Sequence, residues 1–409
     1  MKEVAKPVGI IGAGVMGTGI AQTAAKAGWS VFLFDIDSSA LSNSIQQIEK
    51  RVARLLQKKR ISEEQSNLIL EKIILTENLN VLNECDFIIE CVPDSLQIKI
   101  DVFNSLDKIA PNAVLATNTS SLSITELESA CTASGRILGT HFFNPAAIMP
   151  LVEIIKGNKT SNSATSRATL IVEAWGKTTV HPLDSPGFIV NRVARPYYIE
   201  AWRVLEDKIA PVDVIDDVMK SLGEFRMGPF ELMDLLGHDL NYATSKRIWE
   251  DLEQPARLAP CDAQKQLIER NHLGRKTGCG AYAHDDRNNI VPAILTEQKQ
   301  LELPEQLTNS VNAFCLEGAK VAGNKLERYI FARILASVIN EAYWTHSEGV
   351  ASINDIDTAM RLGTNYPYGP FEWCNRIGED VVQELLLSLN ETVQDNRFST
   401  PPKTVGANS

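Results

Sequence analysis

The sequence lacks the features that mark secreted, metal-binding or membrane proteins. Its seven cysteines are scattered, with no CxxC pair and no Cys/His cluster at metal-ligand spacing, so we expect free thiols and no bound metal. No apolar run approaches the roughly 20 residues of a membrane span, and no charged and then apolar signal segment opens the chain. These absences predict a cytoplasmic protein.

The chain also has no excess of positive charge. Its 409 residues include 40 Lys and Arg against 51 Asp and Glu, a formal net charge of -11. That balance argues against nucleic acid or an anionic membrane as the main partner, and an anionic ligand would need a local basic patch. With 44% hydrophobic and 22% charged residues the composition is globular, and the length allows two or three domains.

The first part of the chain has the pattern of a parallel sheet covered by helices. An apolar run at 8–11 leads into a glycine-rich turn, and residues at helical spacing follow before a second buried run at 31–34. Further apolar runs begin at Phe87, Val114 and Ile137, with helix-like segments between them. This β-α-β order predicts a parallel sheet, which binds ligands where its strands end. Polar residues end four of the strands: Asp35, Glu90, Asn118 and His141.

The glycine-rich turn predicts a dinucleotide site because it lies between a strand and a helix, the context that a GxGxxG motif requires. The loop that would bind the cofactor consists of Gly12, Gly14, Val15, Met16 and Gly17. Asp35, 18 positions (35 − 17) after the last glycine, would accept hydrogen bonds from both ribose hydroxyls and repel a 2′-phosphate. NAD is therefore favoured over NADP, and glycines that serve only the turn are the alternative.

The second part of the chain is predicted to be helical and internally duplicated. Amphipathic helical patterns replace the strands beyond about residue 188. The segment 369–372 repeats 228–231, an offset of 141 residues (369 − 228). The same offset relates three more pairs of segments: 188–192 with 329–333, 200–201 with 341–342, and 215–216 with 356–357. A constant offset without gaps indicates a tandem duplication.

These patterns predict an α/β region followed by an all-α region. The four predicted segments are a Rossmann-like NAD-binding domain at 1–185, a first helical domain at 186–285, a second, degenerate helical domain at 286–395, and a flexible tail at 396–409. The polar, proline-containing composition of the last segment is typical of mobile ends.

One histidine has a candidate partner. His141 ends a predicted strand, and Glu153 follows 12 positions later among apolar residues. A carboxylate among apolar side chains is costly to bury unless it is paired, so an imidazole is a reasonable partner. Oxidation of an alcohol needs a base that titrates near neutral pH, and histidine is the usual one. The residues alone leave a structural and a catalytic pair both open.

The ordered motifs resemble those of 3-hydroxyacyl-CoA dehydrogenases. Besides the glycine loop, the motifs are residues 118–121, 141–145, 151–153, 186–192 and 228–231. The resemblance covers residues 7 to about 282, and the duplicated helical part extends it to about 380. It implies reversible, NAD-dependent oxidation of (S)-3-hydroxyacyl-CoA to 3-oxoacyl-CoA, the reaction of fatty-acid β-oxidation.

The resemblance also implies roles for single residues. His141 would be the general base, with Glu153 orienting it, while Ser120 and Asn191 would hydrogen-bond the substrate oxygen. The residues implied at the cofactor, besides the glycine loop and Asp35, are Glu90, Lys99, Asn118 and Asn144. Alternatively, Ser120 could cap the following helix and Asn191 could serve local backbone bonding. Ala332 stands at the position of Asn191 in the repeat, so we expect no chemistry in the second copy.

A basic helical face follows the second strand. Lys50, Arg54 and Lys58 recur every four residues, which places them on one side of a helix. Such a face is either simply solvated or, as the resemblance implies for this region, binds the phosphates of an acyl-CoA substrate.

Two other functions compete with this interpretation. One is a related dehydrogenase of a small hydroxy acid or sugar acid, of the gulonate dehydrogenase and lens-crystallin type. The other is a non-catalytic nucleotide-binding protein with the same fold. For assembly, the duplication leaves a homodimer and a monomer with an internal pseudo-dimer of helical domains as the two expectations.

Overall fold

The computed structural model describes residues 6–285, 290–294 and 298–402. The chain forms two compact units, Met1–Phe188 and Ile189–Ser409. In the part of the chain that the model describes, no helix has both the length and the hydrophobicity needed to cross a membrane.

From residue 6 onward, where its description begins, the first unit contains eight strands and six α-helices. The strands are β1 (Val8–Ile11), β2 (Val31–Phe34), β3 (Ile73–Thr76), β4 (Phe87–Glu90), β5 (Val114–Thr117), β6 (Ile137–Phe142), β7 (Leu151–Ile155) and β8 (Thr178–Val180). The helices are α1 (Val15–Lys26), α2 (Ser38–Gln57), α3 (Glu63–Glu71), α4 (Leu96–Ile109), α5 (Ile124–Ala130) and α6 (Asn162–Ala174). The strands predicted from the apolar runs are confirmed.

The eight strands form one sheet in the order β3-β2-β1-β4-β5-β6-β7-β8. All neighbours are parallel except β6 and β7. Most strands are buried along their whole length, which is why they read as continuous apolar runs rather than alternating ones. The antiparallel pair differs from the expected parallel sheet because only residues 143–150 join β6 to β7, too few for a parallel crossover.

Within its described residues, the second unit is helical apart from one small hairpin of β9 (Tyr282–His284) and β10 (Ile290–Pro292). Its helices up to residue 269 are α7 (Val190–Val193), α8 (Arg195–Glu206), α9 (Val212–Gly223), α10 (Pro229–Leu236), α11 (His238–Asp251) and α12 (Asp262–Glu269). The remaining ones are α13 (Glu305–Gly318), α14 (Lys325–Ser347), α15 (Ile353–Thr364), α16 (Pro370–Ile377) and α17 (Glu379–Val393).

The duplication predicted from the sequence is present in the helices. Helices α9, α10 and α11 begin 141 positions before α15, α16 and α17, since 353 − 212, 370 − 229 and 379 − 238 each give that value. Helix α14 packs against α7, α8 and α9. We call α7–α11 the first copy and α14–α17 the second copy. The exact domain boundaries remain a prediction.

The beginning of the predicted flexible tail is anchored instead. The side chain of Phe398 is 1% exposed, and the carbonyl oxygen of Ser399 accepts hydrogen bonds from Asn340 Nδ2 and Trp344 Nε1, both at 3.0 Å. For residues 396–399 the prediction was therefore wrong, because one buried aromatic ring and two side-chain donors hold a segment whose composition is polar. Residues 403–409 of the predicted tail lie outside the described residues.

Candidate functional site

The carboxyl ends of the central strands lie at one level of the sheet. Ile11, the last residue of β1, is in register with Phe34 of β2 and with Glu90 of β4. The chain order reverses between β1 and β4, since β2 and β3 lie on one side and β5 and β6 on the other. Ligands bind open α/β sheets at such a switch point. The glycine loop leaves β1 at this place.

Two of the loop glycines are required by the backbone. Gly12 has a φ of 98°, and a Cβ there would lie 2.8 Å from the carbonyl oxygen of Cys91. A Cβ on Gly17 would overlap the carbonyl oxygen of Gly12. Gly14, in contrast, borders open space: a Cβ there would meet no atom within 4 Å. The loop therefore packs tightly against the sheet and leaves its outer side open to a ligand.

The N-terminus of α1 is suited to an anion. The helix begins with Val15 and Met16 directly after Gly14, and it has neither a side-chain cap nor an acidic residue in its first turn. Uncapped backbone N–H groups and the helix dipole attract phosphate oxygens. The open side of Gly14 and this helix end together fit the pyrophosphate of a dinucleotide.

Asp35 is held beside the glycine loop. Its Oδ2 accepts a hydrogen bond from the backbone N–H of Ala13 at 2.7 Å, and its Oδ1 accepts one from Asp37 at 3.0 Å. Each carboxylate oxygen has two lone pairs, so both can accept a further hydrogen bond. The carboxylate is half-buried and adjoins the proposed phosphate site, as required of a group that binds the adenine ribose.

Glu90 and Lys99 form a buried ion pair at the end of β4. Lys99 Nζ lies 2.7 and 2.9 Å from the two carboxylate oxygens of Glu90, and the two residues are 1% and 0% exposed. Thr117 Oγ1 and the backbone N–H of Val92 also donate to Glu90. Burial raises the pKa of Glu90, and the charge of Lys99 opposes this shift. Fully hydrogen-bonded buried charges of this kind fix the strand end rigidly.

Of the two predicted asparagines at this edge, Asn118 is half-buried and Asn144 is exposed. Asn118 follows β5 and accepts a hydrogen bond from the backbone N–H of Phe142 at 2.9 Å, which joins β5 to β6. Asn144 is exposed in the connection between β6 and β7, where it precedes Pro145 through a cis peptide bond.

His141 and Glu153 face each other across the antiparallel pair β6–β7. They are directly opposed in the register, and His141 Nδ1 lies 2.6 Å from Glu153 Oε2. The histidine is 6% exposed and the glutamate 0%. An ionised carboxylate can only accept, so Nδ1–H donates, and the neutral ring then carries its lone pair on Nε2. The structure thus brings the two predicted residues together in the geometry of an oriented base.

Aromatic rings border the imidazole. The ring of His141 lies 4.4 Å from that of Phe143 and 5.8 Å from that of Phe188, measured between centroids. Phe188 also packs with Ile124 and Ile155 in a small buried cluster. These apolar walls reduce the access of water to the histidine and strengthen its hydrogen bond to Glu153.

The other predicted site residues are placed as follows. Ser120 is exposed in the segment between β5 and α5, and the side chain that caps α5 is Ser123, which accepts from the N–H of Glu126. The capping role considered for Ser120 is therefore wrong. Asn191 is half-buried in α7 and belongs to the second unit, whereas the histidine and Ser120 belong to the first.

The basic face lies on α2. Lys50 and Arg54 are exposed along this helix, and Lys58 follows its last residue. Within the described residues none of the three side chains has a carboxylate within 4.0 Å. The charges are thus available for an anionic group in solution.

Two positioning residues escaped the sequence interpretation. Thr117 is the hydroxyl partner of Glu90, and Lys177 donates to the carbonyl oxygens of Ala146 and Met149 at 2.6 and 2.7 Å. Lys177 thereby holds the connection that carries Asn144. Burial lowers its pKa to about 8. The sequence contained no signal for Lys177, because a single lysine beside a short strand has no pattern.

Family models match nearly the whole chain. The model described as 3-hydroxyacyl-CoA dehydrogenase, NAD binding domain, matches residues 7–185. The model for the C-terminal domain of the same enzyme matches twice, at residues 187–284 and 329–407. The second match coincides with the repeat that the constant offset of 141 residues predicted.

Single proteins agree with the family models. The 3-hydroxyadipyl-CoA dehydrogenase of Escherichia coli (strain K12) is 33% identical, covering 96% of this chain and 95% of that protein. The 3-hydroxybutyryl-CoA dehydrogenase of Bradyrhizobium diazoefficiens is 37% identical, covering 69% of this chain and 96% of its own length. A crystal structure titled 3-hydroxybutyryl-CoA dehydrogenase, from Escherichia coli K12, superposes with a TM-score of 0.86 at 32% identity and covers 97% of both chains. With the NAD-binding model and both C-terminal matches in sequence order, this chain belongs to the 3-hydroxyacyl-CoA dehydrogenase family.

Proposed function

We propose that the chain oxidises (S)-3-hydroxyacyl-CoA to 3-oxoacyl-CoA with His141 as the general base. Family membership makes the protein an NAD-dependent 3-hydroxyacyl-CoA dehydrogenase. The observation that supports the assignment of the base is the 2.6 Å hydrogen bond between His141 Nδ1 and Glu153 Oε2. It leaves Nε2 as the nitrogen that takes the proton of the substrate hydroxyl.

Each part of the reaction has a proposed group. The hydroxyl proton passes to His141 Nε2, and Glu153 stabilises the imidazolium that results, as a carboxylate does for other catalytic histidines. When bound, NAD would supply the acceptor for the hydride of C3, so that the overall reaction would yield a ketone, NADH and a proton. Ser120 and Asn191 hold the substrate oxygen, and donors placed there stabilise the charge that develops on it.

The cofactor site is proposed to extend from the glycine loop to the end of β5. The loop and the N-terminus of α1 would hold the pyrophosphate, and Asp35 the adenine ribose. Glu90, Lys99, Asn118 and Asn144 would border the nicotinamide half. The exposed basic face of α2, with Lys50, Arg54 and Lys58, would attract the phosphates of the acyl-CoA.

The proposed base is tested by two variants of the full chain. His141→Gln should lower kcat by two to four orders of magnitude, the range typical of a lost general base. Glu153→Gln keeps the shape but removes the charge that stabilises the imidazolium, so it should also be severe. NADH absorbance with a 3-hydroxyacyl-CoA measures both, and circular dichroism checks the fold. Near-normal turnover by either variant would refute the pair.

Cofactor choice is proposed to rest on Asp35. The wild type should reduce NAD far better than NADP, because the carboxylate repels a 2′-phosphate. Asp35→Ser should lower the ratio of kcat/KM with NAD to kcat/KM with NADP. Asp37→Ser, which removes a neighbouring carboxylate, is the matched control and should lower this ratio less. A wild type that prefers NADP would contradict this assignment.

The cysteines and the two helical copies bear on location and assembly. The seven cysteines are all free, which agrees with a reducing compartment such as the cytoplasm. For assembly we favour a monomer in which the second copy takes the place of a partner subunit, over a homodimer. The reciprocal ion pairs between the copies, Arg192 with Glu341 and Arg333 with Glu200, support this choice.

A further inference from the structure

Arg195, at the start of α8, is a buried cation without a carboxylate partner. Its side chain is 5% exposed, and among the described residues no carboxylate oxygen lies within 4.0 Å of it. The other buried arginines among the described residues of this unit are paired: Arg192 with Glu341 at 2.7 Å, and Arg203 and Arg333 with Glu200 at 2.6 and 2.9 Å. An unpaired buried charge is costly, so its presence calls for a reason.

The contacts of Arg195 do not replace a carboxylate. Its guanidinium lies 4.9 Å from the centroid of the Tyr198 ring, a cation–π contact that offsets the cost of burial only in part. Its Nε donates to the carbonyl oxygen of Asn191 at 2.6 Å, but Nη1 has only long contacts of 3.4 Å, to the carbonyl oxygen of Asn241 and to Ser245 Oγ. A guanidinium has five N–H donors, and none of these acceptors is charged. Burial lowers the pKa of Arg195 accordingly.

A second donor in the same place is also unsatisfied. The Nδ2 atom of Asn241 is buried and has no hydrogen-bond partner among the described residues. Buried donors without acceptors are rare in folded proteins and need an explanation. Arg195 and Asn241 together therefore present donors and one positive charge, but no anion.

The duplication supplies an internal control for this cluster. At the offset of 141 residues, Arg195, Asn241 and Ser245 correspond to Ala336, Val382 and Leu386 in the second copy. These three apolar residues are each 0% exposed. The same helices can thus be packed with apolar side chains alone. The polar cluster of the first copy is not a requirement of the fold.

We propose that Arg195 and Asn241 form a carboxylate subsite for acyl-CoA substrates whose acyl chain ends in a second carboxylate. Asn191, to which Arg195 is hydrogen-bonded, is the residue proposed to hold the substrate oxygen, so the inference rests on the proposed function. Arginine binds carboxylates with two parallel hydrogen bonds, and the amide of Asn241 adds a donor. Arg195 and Asn241 are 5% and 3% exposed, which favours a small group such as the end of an acyl chain over a nucleotide.

Binding tests the subsite without catalysis. Titration calorimetry of the full chain should show tighter binding of adipyl-CoA than of hexanoyl-CoA, which has the same chain length but ends in a methyl group. Arg195→Met should weaken the binding of adipyl-CoA by about 100-fold, the cost of removing one partner of a buried charge pair. It should change the binding of hexanoyl-CoA little. Arg270→Met, at an exposed arginine of the same unit, should change neither.

Turnover separates this proposal from the proposed function. The wild type should show a higher kcat/KM for 3-hydroxyadipyl-CoA than for 3-hydroxyhexanoyl-CoA, mostly through KM, and Arg195→Met should lose that preference. Arg195→Lys, which keeps the charge but not the paired donors, should retain part of it and serves if the Met variant misfolds. Equal losses for both substrates, or no preference in the wild type, would overturn the subsite. Absence of NAD reduction with either substrate would instead refute the dehydrogenase assignment.

Discussion

Arg192 of the first copy and Arg333 of the second occupy equivalent positions, and each is paired with a glutamate of the other copy. Arg192 Nε donates to Glu341 Oε1 at 2.7 Å, and Arg333 Nε donates to Glu200 Oε2 at 2.9 Å. The two glutamates are also 141 positions apart. In a two-fold interface between identical subunits, a residue of one subunit contacts a second residue of the partner, and the same contact occurs with the subunits interchanged. The two ion pairs here have this reciprocal arrangement.

The capping contacts of the copies agree as well. Asp216 accepts hydrogen bonds from the backbone N–H groups of residues 230 and 231, and Asp357 accepts them from residues 371 and 372. The difference lies elsewhere: Asn191 of the first copy is replaced by Ala332. The comparison teaches that contacts which build the helices are present in both copies, whereas groups suited to binding a substrate are confined to the first.

The largest expected effect comes from removing the second copy. A chain ending at residue 285 lacks α14 and Glu341, so Arg192 loses its partner and the apolar surfaces of α7, α8 and α9 become exposed. Such surfaces lead to association or aggregation. Sedimentation velocity and NADH absorbance would follow assembly and activity.

A defined dimer of the shortened chain would agree with the pseudo-dimer. In that dimer, Arg192 could pair with Glu200 of the partner subunit, the equivalent of Glu341. A soluble, fully active monomer would show that the second copy does not replace a partner.

The reciprocal ion pairs give the next largest effect. Glu341→Gln removes one carboxylate from Arg192 and Arg257, which both keep Glu348. Glu200→Gln removes the carboxylate of Arg203 and one of the two that pair with Arg333, which keeps Asp207. Breaking a buried pair by removing one partner costs about 3–5 kcal/mol. Urea unfolding should therefore show comparable losses for the two variants and almost none for Glu384→Gln, at an exposed glutamate. A large loss at only one of the two sites would contradict the two-fold relation.

Acid should weaken the same contact. Although burial alone would raise the pKa of Glu200, Arg203 and Arg333 lower it to about 2. A carboxylate with a depressed pKa in the folded state stabilises the protein above its ordinary pKa, and that contribution is lost as the pH falls toward the folded value. Urea unfolding between pH 5 and pH 3 should show this loss in the wild type and a smaller one in Glu200→Gln.

Much of the first unit could be predicted because its signals are local. The runs at Val8, Val31 and Phe87 became strands, and Asp35 lies beside the glycine loop as the motif spacing indicated. The antiparallel direction of β6 and β7 was missed, although the connection of residues 143–150 is too short for a parallel crossover.

Contacts between distant residues could not be predicted. Arg192 and Glu341 are 149 positions apart, and nothing in either local sequence indicates the other. The cluster of Arg195 and Asn241 is likewise formed by two separate helices. The same limit explains the error at Phe398. The composition of residues 396–409 suggested a mobile tail, whereas the burial of the Phe398 ring depends on helices that are distant in sequence.

The smallest expected difference separates the two capping aspartates. Burial raises the pKa of Asp216 to about 7 and that of Asp357 to about 6. Asp216 also accepts a hydrogen bond from Tyr282 Oη at 2.7 Å, a contact to the hairpin that follows the first copy. The two helix N-termini are thus capped alike, but Asp216 is more deeply buried than Asp357.

Titration should reveal this difference. A carboxyl group with a raised pKa binds its proton more tightly in the folded state, so stability falls as the pH rises from the ordinary value near 4 to the folded value. Asn resembles the protonated carboxyl and does not titrate. Asp216→Asn should therefore remove a decline in unfolding free energy that reaches to about pH 7, and Asp357→Asn one that ends near pH 6. Urea unfolding of the wild type and of both variants at a series of pH values measures the two declines. If the decline that each variant removes ended at the same pH, the two copies would enclose their capping aspartates equally.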